Sequence, residues 1–160
     1  MGESFRTRLM RWGFNVFPAY RGTGARITYI ASDMREARVE VPLSRRTRNY
    51  VGTIFGGSMF GAADPIYMVL FIKLLGRDYI VWDKSATITY RRPGRSTLRA
   101  TFRIEPSELE EIRQALRFTG KIDRIYRTEF RDADGMVCAT VEKTIHFRKK
   151  DARPAGADDP

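Results

Sequence analysis

Between Gly56 and Gly76 the chain reads as a helix that is apolar on nearly every side, with Asp64 and Lys73 its only charges. Such a helix has no broad face to offer water, so the rest of the chain must surround it. The flanking segments have the pattern for this, alternating with the period of two that marks half-buried strands. Segments 25–31 and 36–43 precede the helix, the second setting Ala37, Val39, Val41 and Leu43 against Arg38 and Glu40. Ser32-Asp33-Met34-Arg35 is the turn that makes them a hairpin. Segments 79–92 and 97–104 follow, the first closed by Pro93-Gly94, the second setting Leu98, Ala100, Phe102 and Ile104 against Arg99, Thr101 and Arg103. Segments 121–131 and 136–147 come last, joined by Asp132-Ala133-Asp134-Gly135, a strong hairpin signal. The pattern predicts an α+β fold, a mostly antiparallel sheet wrapped around one long central helix.

Two further helices are expected. Ser4 caps the first, whose apolar residues Phe5, Leu9, Trp12 and Val16 recur at near-helical spacing and are read as its packing face, with Arg6, Arg8 and Arg11 opposite. A basic amphipathic helix of this kind also suits a membrane surface. It is predicted to end near Gly13, with 18–24 as a connector. Ser107 to Glu110 has the spacing of a capping box and opens a short inserted helix with Leu109, Ile112 and Leu116 on one face and Gly120 beyond its end. At 160 residues and 42% hydrophobic content, one domain over residues 1–148 is expected, with 1–21 as its N-terminal helix and connector. Residues 149–160 lack core side chains and read as a disordered tail.

The composition excludes several chemistries. A lone cysteine, Cys138, rules out an intrachain disulfide and multi-cysteine metal sites, and reads as a small buried residue in a reducing compartment. The lone histidine, His146, lies in a strand alternation, so histidine-clustered metal sites and a Ser-His-Asp triad within one chain lack parts. No metal is expected, and a general base is expected to be a carboxylate. The net charge of +10 invites a polyanion, but the arginines are scattered and no nucleic-acid motif appears, which makes nucleic acid an unfavoured partner. The longest uninterrupted apolar run, Ile66 to Ile72, stops at Lys73, short of the roughly 20 residues of a span. The chain is read as soluble and cytoplasmic, without integral membrane association.

One segment, Asn49 to Pro65, looks arranged for chemistry. Gly56-Gly57 allows close backbone approach at a helix entrance, where unpaired N–H groups and the dipole favour an anion or oxyanion. Asp64 shares that helix face, but seven residues after Gly57 it lies about 10 Å further along the axis. One subunit alone is poorly placed to bring both to one atom. Pro65 inside the helix predicts a kink, or else a helix start with Asp64 as its cap. Lys84, counted by strict alternation, falls on the apolar face of Ile80, Trp82, Ala86, Ile88 and Tyr90, where it either snorkels to water from a locally twisted edge position, the favoured reading, or pairs with Asp64 or Asp83.

With Asn49-x-x-Gly52-x-x-Phe55-Gly56-Gly57, then Ala62-Ala63-Asp64, then a strand ending Arg92-Pro93, the chain resembles the hotdog-fold acyl-CoA thioesterases. The branch it resembles is that of the phenylacetate-pathway enzymes, and more closely an uncharacterised thioesterase branch. The resemblance covers residues 22–148. It implies a hotdog fold and hydrolysis of an acyl-CoA or related thioester, with coenzyme A entering as part of the substrate and no cofactor. It also implies a homodimer or homotetramer with sites at a dimer interface. By the same resemblance, Gly56 supplies the N–H that polarises the carbonyl, Asp64 is base or nucleophile, and Asn49 orients water or carbonyl. Gly57, Ser58 and Phe55 line the substrate, Phe55 standing where the family commonly has a histidine. Arg91, Arg92 and Arg95 beside Pro93, or Arg45, Arg46 and Arg48 in the preceding loop, are candidates for the coenzyme phosphates. The alternative is an acyl-CoA or fatty-acyl binding module of the same fold without catalysis.

Overall fold

The computed structural model describes residues 2–150. Helices α1 (Phe5–Val16) and α2 (Pro18–Gly22) lead into strands β1 (Arg26–Ile30) and β2 (Glu36–Val41). Helices α3 (Gly56–Ala63) and α4 (Ile66–Leu75) are followed by β3 (Tyr79–Tyr90) and β4 (Leu98–Arg103), then helix α5 (Pro106–Thr119) and strands β5 (Lys121–Arg131) and β6 (Val137–Lys149). All six strands join one antiparallel sheet in the order β1-β2-β4-β5-β6-β3. This sheet with its central helix is the hotdog fold that the sequence led us to expect. The consecutive strands β3 and β4 do not pair with each other: β3 is an edge beside β6, and β4 lies between β2 and β5.

Strand alternation builds the core. In β4, Leu98, Ala100 and Phe102 are buried while Arg99, Thr101 and Arg103 point outward. Against that inner face lie Met59, Ala62 and Ala63 of α3 and Ile66, Tyr67, Leu70 and Phe71 of α4. Edge-to-face ring pairs lock the contact, Tyr67 on Phe102 at 5.1 Å and Phe71 on Phe147 at 4.9 Å between centroids. The helical stretch Gly56–Leu75 is 20 residues and half buried. By length and composition it is apolar enough to cross a membrane, which corrects the shorter measure taken from Ile66–Ile72; its buried half is the core of the sheet. Its other side is open, with Ile72 and Lys73 exposed, so the helix is less enclosed than its composition suggested.

The outer helices depart from expectation in detail. Ser4 does cap α1, in a reciprocal capping box with Thr7, but α1 continues past Gly13 to Val16, and α2 replaces the expected connector. The packing face of α1 is Thr7, Met10 and Phe14, whereas Phe5, Leu9, Trp12 and Val16 are exposed. Two α1-side residues serve the outer backbone edge of β1. The Asn15 amide both donates to the Ile27 carbonyl (2.9 Å) and accepts from the Ile27 N–H (2.8 Å), and Glu3 accepts from the Ile30 N–H (3.0 Å). Helix α5 starts at Pro106, with Glu105 as its uncapped N-cap, rather than at the Ser107 capping box, because proline favours the first helical position. It buries Leu109, Ile112 and Leu116 as expected and ends at left-handed Gly120. Strand β6 reaches Lys149, and the Lys150 N–H bonds the Asp78 carbonyl, so the expected tail does not begin at 149; residues 151–160 lie outside the described residues.

The outer face of the sheet carries carboxylates clasped by arginines, such as Glu36 between Arg38 (2.7 Å) and Arg103 (3.0 Å). Partial burial raises the Glu36 pKa, but hydrogen bonds from both guanidiniums and their charges outweigh it and leave the carboxyl below its usual range. A depressed pKa contributes stability that is present above the unfolded value and lost as pH falls through the folded one. We therefore expect the melting temperature to drop as pH is lowered below about 4, and to drop less steeply in Glu36→Gln. Superimposable profiles would refute this.

Candidate functional site

Among the described residues no side chain caps the N-terminus of α3, so the amides of Gly56 and Gly57 precede the first intrahelical bond without a side-chain partner there. Two aromatic rings lie close against the backbone at both glycines. A Cβ on Gly56 would collide with the Tyr90 hydroxyl, and one on Gly57 with the Phe55 ring. Gly56 opens onto a cleft of about 380 Å³ lined also by Asn49, Thr53, Met59, Tyr90, Arg91 and Arg92. Neither Arg91 nor Arg92 makes an ion pair among the described residues, and both backbone N–H groups donate to the Cys138 carbonyl, which fixes the chain as it leaves β3. An uncapped helix start facing two uncommitted guanidiniums attracts anions.

The other expected residues fall variously around this cleft. Asn49 lines it, but its amide braces its own loop, donating to Thr53 Oγ1 (2.9 Å) and accepting from the Thr53 N–H (2.9 Å). Ser58 is buried, its N–H bonded to the Phe55 carbonyl. Phe55 is exposed with its ring over Gly57, and Arg95 is exposed outside the cleft lining. Tyr90, missed in the sequence, was detectable as the last strand residue before the Arg91-Arg92-Pro93 loop. Cys138 is buried and burial pushes its thiol pKa up, as an inert packing residue.

Asp64 ends α3 at the far end from Gly56, eight residues and about 12 Å along the axis. The backbone stays helical through Asp64 and Pro65, and no side-chain cap of α4 is present among the described residues, so Asp64 is not an N-cap; Pro65, which has no N–H to donate, marks the break between α3 and α4. Its carboxylate is 54% exposed and meets a buried lysine. Lys143, 2% exposed, holds Asp83 at 2.6 Å and Asp64 at 3.2 Å, and also bonds the Asp64 carbonyl. The lysine that strict alternation offered for this pairing, Lys84, instead points outward to Asp123 (2.6 Å). The cause is a β-bulge between Asp83 and Ser85, which leaves Lys84 unpaired and switches the alternation, so Val81 and Asp83 share the inner face with Ala86 and Ile88. Lys143 was legible in Val141-Glu142-Lys143-Thr144-Ile145-His146-Phe147, on the buried side of the alternation. Burial drives the Asp83 carboxyl above its usual pKa, against the pull of Lys143 and with the push of the Asp64 charge. Asp83 Oδ1 is buried without a hydrogen-bond partner among the described residues.

On the opposite face of the sheet, His146 bonds Asp123 (2.5 Å) and stacks on Trp82 at 4.3 Å, a partnered strand histidine. Among the described residues no group of three or more His, Cys, Asp or Glu is placed to hold a metal ion.

Solved structures with the same fold include a Pseudomonas aeruginosa protein of unknown function described as a probable thioesterase, 20% identical with TM-score 0.80, covering 94% of this chain and 100% of its own. A Haemophilus influenzae thioesterase is 16% identical with TM-score 0.67, over 92% and 93% of the two chains. The E. coli PaaI protein of the phenylacetic acid degradation operon is 19% identical with TM-score 0.61, over 90% and 91%. No curated protein matches. A family model matches residues 6–147, nearly the whole described fold, and on that match the chain belongs to the family described as domain of unknown function DUF4442.

Proposed function

We propose that the protein hydrolyses an acyl-CoA or a related acyl thioester at a site shared between two copies of the chain. The observation that carries this reading is the division of α3, with uncapped amides facing free arginines at one end and a half-exposed carboxylate at the other. The thioester oxygen would accept hydrogen bonds from the Gly56 and Gly57 amides, which stabilise the growing oxyanion. Asp64 would deprotonate a water or attack the carbonyl carbon. Tyr90 stands over the same entrance, and Asn49 acts through the loop it braces. Arg91 and Arg92 take the coenzyme phosphates.

Sheet topology supports sharing. Among the described residues the outer edge of β3 carries no partner strand, and along β3 Asp83 lies beside Asp64 and Tyr90 beside Gly56. A two-fold axis pairing two β3 edges antiparallel sets the Asp64 half of one copy against the Gly56 half of the other. The second reading, a binding module without turnover, is favoured by the Lys143 ammonium, which already engages both the carboxylate and the backbone carbonyl of Asp64.

Thiol release from a panel of aliphatic and aromatic acyl-CoAs tests the proposal. Turnover supports it, saturable binding without product selects the binding module, and neither removes both. In an active enzyme, Arg91→Gln with Arg92→Gln is expected to raise KM for acyl-CoA about tenfold, the loss of roughly one charge-assisted contact. It should leave hydrolysis of acyl-N-acetylcysteamine, which lacks phosphates, unchanged. Equal loss on both substrates would place the arginines elsewhere in the mechanism.

A further inference from the structure

On α1 the exposed residues Phe5, Leu9, Trp12 and Val16 fall within an arc of about 60° around the helix axis, diametrically opposite the buried Thr7 and Phe14. They are large and open: Phe5 is 80% exposed and Trp12 63%, and Phe17, just beyond the helix, is exposed as well. Arg6 and Arg8 flank the stripe, one on each side and within about 90° of it, and neither makes an ion pair among the described residues. No acidic residue occurs between Glu3 and Asp33, and Glu3 itself is held by Arg11.

We propose that this face of α1 docks onto an anionic phospholipid surface, with the helix lying in the plane of the headgroups. The arrangement matches that environment at each point. An apolar ridge enters the acyl boundary, an aromatic residue sits at headgroup depth, and arginines on both flanks meet lipid phosphates while their stems lie along the ridge. A second copy is a poorer occupant, because stripe against stripe brings the arginines of two helices together with no acidic residue between Ser4 and Ser32 to pair with them. Pairing through β3 takes place at the opposite edge of the sheet from β1, on which α1 packs, and so leaves the stripe open.

The test is flotation of the full-length protein with vesicles of phosphatidylcholine containing about one part in three phosphatidylglycerol, against vesicles of phosphatidylcholine alone. The expected result is partition that requires phosphatidylglycerol and weakens in high salt. Leu9→Glu with Trp12→Glu should reduce it about a hundredfold, and Arg6→Gln with Arg8→Gln about tenfold or more. Both pairs are at exposed positions, so thermal melts should be unchanged. In a Trp82→Phe background, Trp12 emission should shift to the blue on addition of the anionic vesicles. Equal partition to both vesicle types, no partition to either, or binding unaffected by Leu9→Glu with Trp12→Glu would each overturn the proposal. So would a change of oligomeric state in that variant without vesicle binding by the wild type, which would make the stripe a protein interface.

Discussion

Asp64→Asn is expected to lower kcat for thioester hydrolysis by about a thousandfold while leaving KM and the fold largely intact. Asparagine keeps an oxygen for the Lys143 ammonium, and at a side chain 54% exposed it demands no repacking. What is lost is the ability to take a proton or to attack, so the effect belongs to the chemical step. Steady-state kinetics with the best substrate of the panel, together with a melting curve, provide the check. Equal kcat in variant and wild type would remove Asp64 from the mechanism. A loss accompanied by unfolding would point instead to the break between α3 and α4.

Lys143→Met carries the largest expected cost to stability, about 3–5 kcal/mol, because removing one member of a buried ionic group leaves the others uncompensated. Among the described residues, Asp83 would then hold a buried carboxylate with neither oxygen partnered, Oδ1 being already alone. Adding Asp83→Asn should recover much of the loss, since the double variant buries no unpaired charge on that strand. Urea denaturation of both single variants and the double variant measures the coupling, and strict additivity would refute it. The pH sign is opposite to that of Glu36. Burial raises the folded pKa of Asp83, so its contribution is most favourable at low pH and is lost as pH rises through the folded value. Lys143→Met should therefore regain stability on mild acidification, where Asp83 takes up a proton.

How much of this was legible in the sequence depended on whether a signal was local. The alternation of Leu98, Ala100 and Phe102 and the Asp132–Gly135 turn mark β4 and the last hairpin without tertiary context. The same holds for Gly56-Gly57, Asp64 and the Arg91-Arg92 pair. Alternation counted across β3 failed at Lys84 because a single bulge residue reverses every later parity, and nothing local announces it. Helical period identified α1 but not its direction: Phe5-Leu9-Trp12-Val16 and Thr7-Met10-Phe14 are both consistent stripes, and only the position of β1 decides between them. At Asp64-Pro65, helix break and N-cap share the same two residues, and the helical backbone at both positions decides against the cap.

The side chains of Asn15 and Glu3 that occupy the outer backbone of β1 have a consequence for how large an assembly can grow. A sheet with two free edges adds copies head to tail without limit, the geometry of a fibre. Among the described residues one edge is already occupied by the chain's own side chains, so a pairing through β3 would use the remaining open edge and end sheet extension at two copies. Any higher assembly has to form through faces rather than edges. Asn15→Ala, by freeing the Ile27 amide and carbonyl together, would reopen the way to polymerisation.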